Sequence, residues 1–271
     1  MISDLIVKLQ QKMDLTHDEM NHIMTEILSG RTGDDDNVNF LSGLTEKGET
    51  DEELLGMLDK MQEFAIKVKP KNQGVIIDLC GTGGDFLQTF NISTTASFVV
   101  AAAGGVVAKH GNRSSSGISG SADIFEYFGY DLNSEPSKIT SILLKHNICF
   151  MFAQKFHPAM RYVSNARKQI KKRTAFNLLG PLSNPAGVKN QLIGVYSIEF
   201  LDRLPLILKR RGAKNIMTVC SENGMDELST SATNRVCILR NDKVTMNAID
   251  PQVVGLHKSV LKDIQIQTKD D

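Results

Sequence analysis

A glycine-rich segment, VIIDLCGTGGDFLQTFNIST at positions 75–94, has the composition of an anion-binding loop. Val75, Ile76 and Ile77 form a short apolar run that is typical of a buried parallel strand. The glycines that follow allow positive φ angles and a close approach of the backbone to a ligand, and an apolar series that begins at Phe98 predicts a helix. A strand, a glycine turn and a helix start present unpaired N–H groups, which attract phosphate. The segment therefore predicts a phosphate site.

Two common glycine motifs are excluded for this segment. A Walker A loop ends in Gly-Lys-Ser/Thr, and that sequence does not occur here. A dinucleotide fingerprint that starts at Gly81 requires glycine at position 86, where this chain has Phe86. A phosphate site must therefore take its cations from another part of the sequence.

A second polar segment, VAKHGNRSSSGISGSAD at positions 107–123, supplies such a cation. It combines Lys109, His110, Asn112 and Arg113 with several serines and glycines. Cation, amide and hydroxyl groups on a flexible backbone suit phosphate and ribose oxygens. The alternative is an exposed, flexible loop without a ligand.

A third segment, ENGMDELS at positions 222–229, follows a strand-like run and carries the adjacent carboxylates Asp226 and Glu227. Mg²⁺ is a hard cation that takes oxygen ligands and retains several waters, so this pair suits it. The alternative, an acidic loop without a metal, is equally compatible with these residues alone.

The longest polar segment covers residues 152–187. One helix face is predicted from spacing, with Arg167 near its edge. The sequence NLLGPLSNP within it predicts a tight buried turn, because its prolines restrict φ. A basic cluster over residues 167–173 is compatible with nucleic acid, but a solvated helix end that complements the helix dipole is the better interpretation. The predicted helix face consists of Met160, Val163, Ala166 and Ile170.

The composition is that of an ordinary globular protein of 271 residues, with 41% hydrophobic and 23% charged residues. Lys plus Arg and Asp plus Glu both number 31, so the chain as a whole presents no basic field for nucleic acid. The longest apolar run, Phe98 to Ala108, is too short to span a bilayer, and the N-terminus lacks the pattern of a signal peptide. The scattered cysteines predict reduced packing residues in a cytoplasmic protein: Cys80, Cys149, Cys220 and Cys237.

The pattern of the chain predicts a small helical domain followed by a larger α/β domain. Thr16 with Glu19, and Thr50 with Glu53, fit capping boxes that open amphipathic helices. Residues 67–74, KVKPKNQG, have the composition of a linker and a hinge. Beyond them, short apolar runs alternate with helical or glycine-rich segments, which indicates a mainly parallel sheet.

Taken together, these segments resemble the anthranilate phosphoribosyltransferase family. GTGGD, TFNIST, KHGNR, SGSAD, HPAM, RTAFNLLGPLSNPAG and GMDELS occur in the family's order and spacing. The resemblance implies transfer of a phosphoribosyl group from 5-phosphoribosyl 1-diphosphate (PRPP) to the amine of anthranilate, with release of diphosphate, in tryptophan biosynthesis. It implies domains over residues 1–67 and 73–271, with the first completed by helices within about 155–185.

The resemblance also assigns residues to the substrates, with Mg²⁺ as cofactor. PRPP is expected to contact Gly81, Thr82, Gly83, Gly84, Asp85, Asn91, Ser93, Thr94, Lys109 and Ser121. Anthranilate is expected to contact Gly81, His110, Asn112, Ala153, His157, Met160 and Arg167. The metal is expected near Ser93, Asp226 and Glu227. No side chain is expected to act as a nucleophile or an obligatory base, so His110 is given an accessory, positioning role.

The resemblance has departures and rivals. It implies that the C-terminal part of the family fold is absent from this chain, through a shortened variant or a truncation. Cys220-Ser221 stands where the family usually has His-Gly, and Phe86 stands where glycine is common. A pyrimidine nucleoside phosphorylase and a non-catalytic nucleic-acid-binding relative are the alternatives, both less consistent with the motifs and the balanced charge. The resemblance implies a cytoplasmic homodimer that associates through the helical domain, with no membrane or nucleic-acid partner.

Overall fold

The structure is a computed structural model that describes residues 2–70, 74–114 and 118–268. The chain divides into two compact units. The first comprises residues 1–66 and 154–183, and the second comprises residues 67–153 and 184–271. Part of the predicted linker, residues 71–73, lies outside the described residues.

The helices and strands follow one another in a pattern that changes from all-helical to alternating. The helices are α1 (Ile2–Gln10), α2 (His17–Leu28), α3 (Asp34–Lys47), α4 (Asp51–Glu63), α5 (Ile92–Ala102), α6 (Ser121–Tyr127), α7 (Pro136–His146), α8 (Ala153–Phe156), α9 (Arg161–Ile170), α10 (Ala175–Leu182) and α11 (Arg203–Arg210). The strands are β1 (Ile76–Gly81), β2 (Val106–Gly111), β3 (Ile148–Phe152), β4 (Asn190–Gly194), β5 (Asn215–Ser221), β6 (Asn234–Arg240) and β7 (Lys243–Ile249). The predicted fold class, a small helical domain and a larger α/β domain, is confirmed.

The first unit is a helical bundle whose N-terminal helices begin at the predicted capping boxes. Thr16 accepts a hydrogen bond from the Glu19 backbone, and the Glu19 side chain accepts one from the Thr16 N–H. Thr50 and Glu53 repeat the arrangement at the start of α4. Both helices then bury the apolar faces that their spacing predicts, which is how a helix too short to be stable alone is held in place.

The predicted turn over NLLGPLSNP is wrong in its first half. Residues from Ala175 to Leu182 form helix α10, with Pro181 in its last turn. The Thr174 N–H donates to the Asn177 side chain at the helix start, and α10 buries Phe176 and the leucines. Burial of this apolar face outweighs the helix-breaking tendency of a proline that comes so close to the helix end.

The second unit contains a seven-stranded sheet in the order β3-β2-β1-β4-β5-β6-β7 among the described residues. The pairs from β3 to β5 are parallel, and β6 and β7 are added antiparallel to β5. All four cysteines are buried and none is in a disulfide, as predicted. No helix in the described part of the chain is long and apolar enough to cross a membrane.

Candidate functional site

The carboxyl ends of β1, β2, β4 and β5 meet at one edge of the sheet because these strands are parallel. β1 pairs with β2 on one side and with β4 on the other, so the strand order reverses there. Open α/β sheets bind ligands at such a switch point. The two loops that lie at this edge are called the glycine loop (residues 82–90, after β1) and the carboxylate loop (residues 222–233, after β5).

Hydrogen bonds join the two loops directly. The Gly83 N–H donates to Asp226 Oδ2 at 2.7 Å, and the Ser93 N–H, at the start of α5, donates to Glu227 Oε1 at 3.2 Å. A Cβ atom on Gly81 would lie 2.7 Å from Asp226 Oδ2. The predicted metal residues are therefore brought to the predicted phosphate loop, and a side chain at position 81 would displace the Asp226 carboxylate.

Gly194, at the end of β4, is a site residue that the sequence analysis did not identify. A Cβ atom on Gly194 would lie 1.5 Å from the carbonyl oxygen of Asp226, while the carbonyl of Gly194 accepts the Thr82 N–H at 2.9 Å. Both loops thus lie against this one residue. Its sequence context, a glycine after an apolar strand, gives no signal of a role that depends on a neighbouring loop.

The backbone of the glycine loop is held in an unusual conformation. Gly83 and Gly84 have positive φ angles, as predicted for a glycine turn, but so do Phe86 (φ 58°) and Gln88 (φ 55°). Such angles cost roughly 1 kcal/mol or more in residues with a side chain, and persist only where neighbours impose them. The C-terminal segment holds the second half of the loop, because Ile264 O accepts the Phe90 N–H and the Ile266 N–H donates to Gln88 O at 2.8 Å.

The remaining polar residues of the glycine loop are also engaged. Thr82 Oγ1 accepts the Tyr196 N–H at 3.1 Å, and Asp85 Oδ1 accepts the Leu87 N–H at 3.1 Å. Asp85 also lies close enough to Asp226 to influence its pKa. The loop is thus fixed by its own side chains as well as by its neighbours.

Lys109 is buried in β2 rather than exposed on a loop. Its ammonium group donates to the Leu79 carbonyl and, at 3.2 Å, to Ser93 Oγ. Burial lowers the pKa of Lys109, and the nearby Asp78 opposes that effect. The cation that the glycine loop lacks is therefore supplied by the adjacent strand.

The segment after β2 is joined to the start of α5 through hydroxyl and amide groups. Asn91 Nδ2 donates to Ser119 Oγ at 2.6 Å, and Thr94 Oγ1 donates to Ser121 Oγ at 3.0 Å. The predicted PRPP residues, from Gly81 to Ser121, therefore form one connected group in the second unit. Three serine-rich positions of the motif, residues 115–117, lie outside the described residues.

The carboxylate loop carries groups whose ionisation is opposed by their surroundings. Burial, with the Asp85 charge, raises the pKa of Asp226 to about 6. Burial, with the Asp226 charge, raises the pKa of Glu227 to about 8. A divalent cation would offset both effects, and the available donors are hard oxygens. No group of three His, Cys, Asp or Glu side chains is placed to hold a metal in the described ranges, so two carboxylates with water or a bound anion are the ligands that fit.

The residues predicted for anthranilate are divided between the two units. In the second unit, His110 is buried, and its backbone N–H donates to Asp78 Oδ1 at 3.2 Å. Asn112 lies just beyond β2, where its carbonyl accepts the Ala122 N–H at 3.2 Å, and Ala153 follows β3 directly. Like Gly81, these residues lie at the carboxyl ends of the parallel strands.

In the first unit, the structure brings His157 and Met160 together in the lining of one small apolar pocket. Arg167 lies on α9, with its guanidinium carbon 5.8 Å from the centre of the Phe176 ring. Burial lowers the pKa of Arg167, although the group remains a cation at neutral pH. A guanidinium that lies over an aromatic ring and is partly desolvated is well suited to a planar carboxylate. The pocket is lined by Leu28, Met61, Phe64, His157, Ala159 and Met160.

Comparison with known protein families gives two matches. Residues 3–65 match the glycosyl transferase family helical bundle domain, and residues 73–271 match the glycosyl transferase family a/b domain. Among curated proteins, the anthranilate phosphoribosyltransferase of Nitrosopumilus maritimus is 80% identical over 271 residues, covering 100% of this chain and 78% of the relative. That of Cenarchaeum symbiosum is 51% identical, covering 96% of this chain and 76% of the relative.

Solved structures of similar proteins agree with these matches. The anthranilate phosphoribosyltransferase of Thermus thermophilus has a TM-score of 0.90 at 35% identity, covering 97% of this chain and 78% of that one. The enzyme from Saccharomyces cerevisiae in complex with PRPP and Mg has a TM-score of 0.88 at 25% identity, covering 98% of this chain and 77% of that one.

The position of Gly194 generates a prediction about stability. Gly194→Ala is expected to lower the free energy of unfolding by about 2 kcal/mol, because the new methyl group would overlap the Asp226 carbonyl and displace the carboxylate loop. The matched control is Gly180→Ala in α10, where a Cβ meets nothing within 4 Å and the helix gains up to about 1 kcal/mol. Denaturant unfolding of both variants checks this, and equal stability of the two would contradict it.

Proposed function

The chain belongs to the anthranilate phosphoribosyltransferase family, and we propose that it binds PRPP at the carboxyl edge of its sheet, between the glycine loop and the carboxylate loop. The enzyme transfers the phosphoribosyl group of PRPP to the amine of anthranilate, which yields N-(5-phosphoribosyl)anthranilate and diphosphate in tryptophan biosynthesis. The observation that carries the site assignment is the pair of hydrogen bonds from Gly83 and Ser93 to Asp226 and Glu227. These contacts unite the phosphate motif with the metal motif.

Both backbone groups and side chains are proposed to bind PRPP. Thr82, Gly83 and Gly84 present a backbone that no bulky side chain obstructs. Lys109 donates to Ser93 at the start of α5, so the ammonium and the helix N-terminus lie close together. Both would offer positive charge to the diphosphate. Asn91, whose amide is already aligned by Ser119, is placed for ribose or phosphate oxygens.

Mg²⁺ is the cofactor of this reaction, and the relative from S. cerevisiae is known with PRPP and Mg. We propose Asp226 and Glu227 as its protein ligands, directly or through water, with Ser93 near the metal-bound diphosphate. The raised pKa values of the two carboxyl groups support this assignment, because a bound dication would stabilise the ionised form of both groups. When bound, Mg²⁺ neutralises the charge that develops on the departing diphosphate.

The bond that breaks joins the ribose C1 to diphosphate, and the bond that forms joins C1 to the anthranilate nitrogen. Departure of diphosphate leaves an oxocarbenium-like centre, as in glycoside cleavage. The chain's own residues then have to hold the leaving group, align the amine and exclude water. An aromatic amine is neutral near pH 7 and loses its proton after attack, so no dedicated base is assigned and His110 is proposed as a positioning residue.

Anthranilate is a planar ring with a carboxylate, and we propose Arg167 as the partner of that carboxylate. Its guanidinium lies over the Phe176 ring and is partly desolvated, which strengthens a bidentate ion pair. His157 and Met160 are proposed to contact the ring from the apolar pocket of the helical unit. Gly81, His110, Asn112 and Ala153 are proposed as the contacts from the α/β unit.

The activity itself is checked by following the loss of anthranilate fluorescence with this 271-residue chain. Consumption is expected only with both PRPP and Mg²⁺, and EDTA should abolish it because the carboxylate pair then lacks its cation. The control is the same assay with excess Mg²⁺ restored after EDTA. A folded sample that binds PRPP but consumes no anthranilate with Mg²⁺ present would contradict the proposed reaction of this chain.

The Arg167 assignment predicts a selective effect on one substrate. Arg167→Lys is expected to raise KM for anthranilate about tenfold or more, because lysine cannot form the planar two-point contact, while KM for PRPP stays within about twofold. Lys172→Met, a nearby exposed cation removed from the same segment, is the control and should change neither value. Steady-state kinetics with each substrate varied in turn tests this, and parallel changes in both KM values would argue against Arg167 as the carboxylate partner.

We also propose a cytoplasmic homodimer that forms through the helical unit. Buried cysteines without disulfides support a reducing compartment. Val7 on α1 and Met13 just after it are about half exposed (46% and 49%), which supports an apolar contact on this unit.

The dimer is tested by light scattering, which should give twice the 29.9 kDa chain mass, and Val7→Glu should reduce the measured mass towards that of one chain. A single-chain mass at micromolar concentration would exclude the dimer.

A further inference from the structure

Asp78 is a charged residue in the middle of an apolar strand, and the mechanism above does not use it. Its side chain is fully buried (0% exposed) in β1. Its carboxylate accepts hydrogen bonds from the backbone N–H of His110 at 3.2 Å, from Asn184 Nδ2 at 2.8 Å and from Gln191 Nε2 at 3.4 Å. Burial of a carboxylate costs several kcal/mol of hydration free energy, which these three hydrogen bonds offset only in part. The position of Asp78 therefore indicates a role for its charge.

Asn184 connects this carboxylate to the next strand. Its Nδ2 donates both to Asp78 Oδ2 and to the Ala108 carbonyl at 2.9 Å. Its Oδ1 accepts the Ala186 N–H at 2.9 Å, which fixes the side chain in the turn that precedes β4. Asn184 of the NLLGPLSNP motif therefore reaches into the sheet.

Lys109 lies between the two β2 residues that this network holds. Ala108 accepts from Asn184, and His110 donates to Asp78. The ammonium of Lys109 in turn donates to the carbonyl of Leu79, the residue that follows Asp78 in β1. Hydrogen bonds therefore join β1 and β2 in both directions, from the backbone of β2 to the carboxylate and from the lysine to the backbone of β1.

Burial acts against both charges. It raises the pKa of Asp78 and lowers the pKa of Lys109, and for each group the attraction of the other is the leading opposing effect. An isolated ammonium buried to this extent (1% exposed) would cost several kcal/mol. A buried opposite charge on the adjacent strand offsets part of that cost without entering the ligand site.

We propose that Asp78 is a positioning residue for Lys109. Held by Asn184, it supplies the buried counter-charge and fixes the β2 backbone beside the lysine, so that the lysine is presented to an anionic phosphate ligand. The ligand part of this inference rests on the proposed role of Lys109 in binding PRPP. The counter-charge part depends only on the two buried side chains.

A thermal-stability cycle on the ligand-free protein tests the counter-charge. Asp78→Asn is expected to lower Tm by about 4 °C or more, because it removes the opposite charge that contributes most to offsetting the burial of the ammonium. In a Lys109→Met background the same substitution should leave Tm within about 1 °C or raise it, since the carboxylate is then the uncompensated charge. Asp131→Asn, at an exposed position of the same unit, is the control for the chemical change itself.

Calorimetric titration with PRPP tests the positioning role. Asp78→Asn should weaken PRPP binding about tenfold, with KM for anthranilate within about twofold of the unchanged protein. Gln191→Met removes one hydrogen bond from the same carboxylate but keeps its charge, and it should keep PRPP affinity within about twofold. If the network had only a structural role, Asp78→Asn and Gln191→Met would lose similar amounts of PRPP affinity.

The two tests separate the inference from the proposed function. An equal fall in Tm in both backgrounds would overturn the counter-charge, and unchanged PRPP affinity in Asp78→Asn with intact Lys109 would overturn the positioning role. If Lys109→Met itself binds PRPP normally, the proposed PRPP site is wrong at that residue, while the Tm cycle still reports on the Asp78–Lys109 pair.

Discussion

The carboxyl edge of the sheet depends on charged groups that are withdrawn from water. Lys109 is buried in β2 and Asp78 in β1, and Asp226 is buried in the carboxylate loop. Each such ion loses several kcal/mol of hydration, which only nearby opposite charge and fixed hydrogen-bond donors can offset. The lysine has Asp78 as a counter-charge on one side and lies near Glu227 on the other. This shared compensation explains why residues far apart in the chain must be placed so closely relative to one another.

Close backbone approach is the second constraint at this edge. Gly81 and Gly194 are paired across β1 and β4, and at both positions a side chain would overlap Asp226. The absence of two methyl groups lets the carboxylate loop lie against the glycine loop. The same closeness brings Asp226 and Glu227, the proposed metal ligands, to the backbone proposed to bind phosphate. The packing requirement therefore coincides with the requirement of the proposed chemistry. A binding site that is formed by packed backbone in this way is rigid before its ligand arrives.

Much of the fold could be predicted from local patterns. The capping boxes at Thr16 and Thr50 and the apolar run that becomes β1 depend on interactions within a few residues. Prediction was wrong where tertiary burial overrides local preference, since α10 continues through Pro181. The polar composition around Lys109 indicated a surface loop as the alternative, whereas β2 buries it between β1 and β3. Local composition cannot show that a neighbouring strand will supply the counter-charge that makes such burial tolerable.

The sequence by itself determined the chemistry: which glycines, hydroxyls, cation and carboxylates are available, and the family to which their order belongs. Residue types and short spacings carry that information because phosphate, Mg²⁺ and carboxylate each require particular donor atoms. Only the tertiary structure decided which groups meet. It gave Asn184 a role inside the sheet, made Gly194 a contact of the carboxylate loop, and paired Asp78 with the lysine. These relations join residues that lie up to about a hundred positions apart, and they exist because the sheet places strands that are distant in the sequence beside one another.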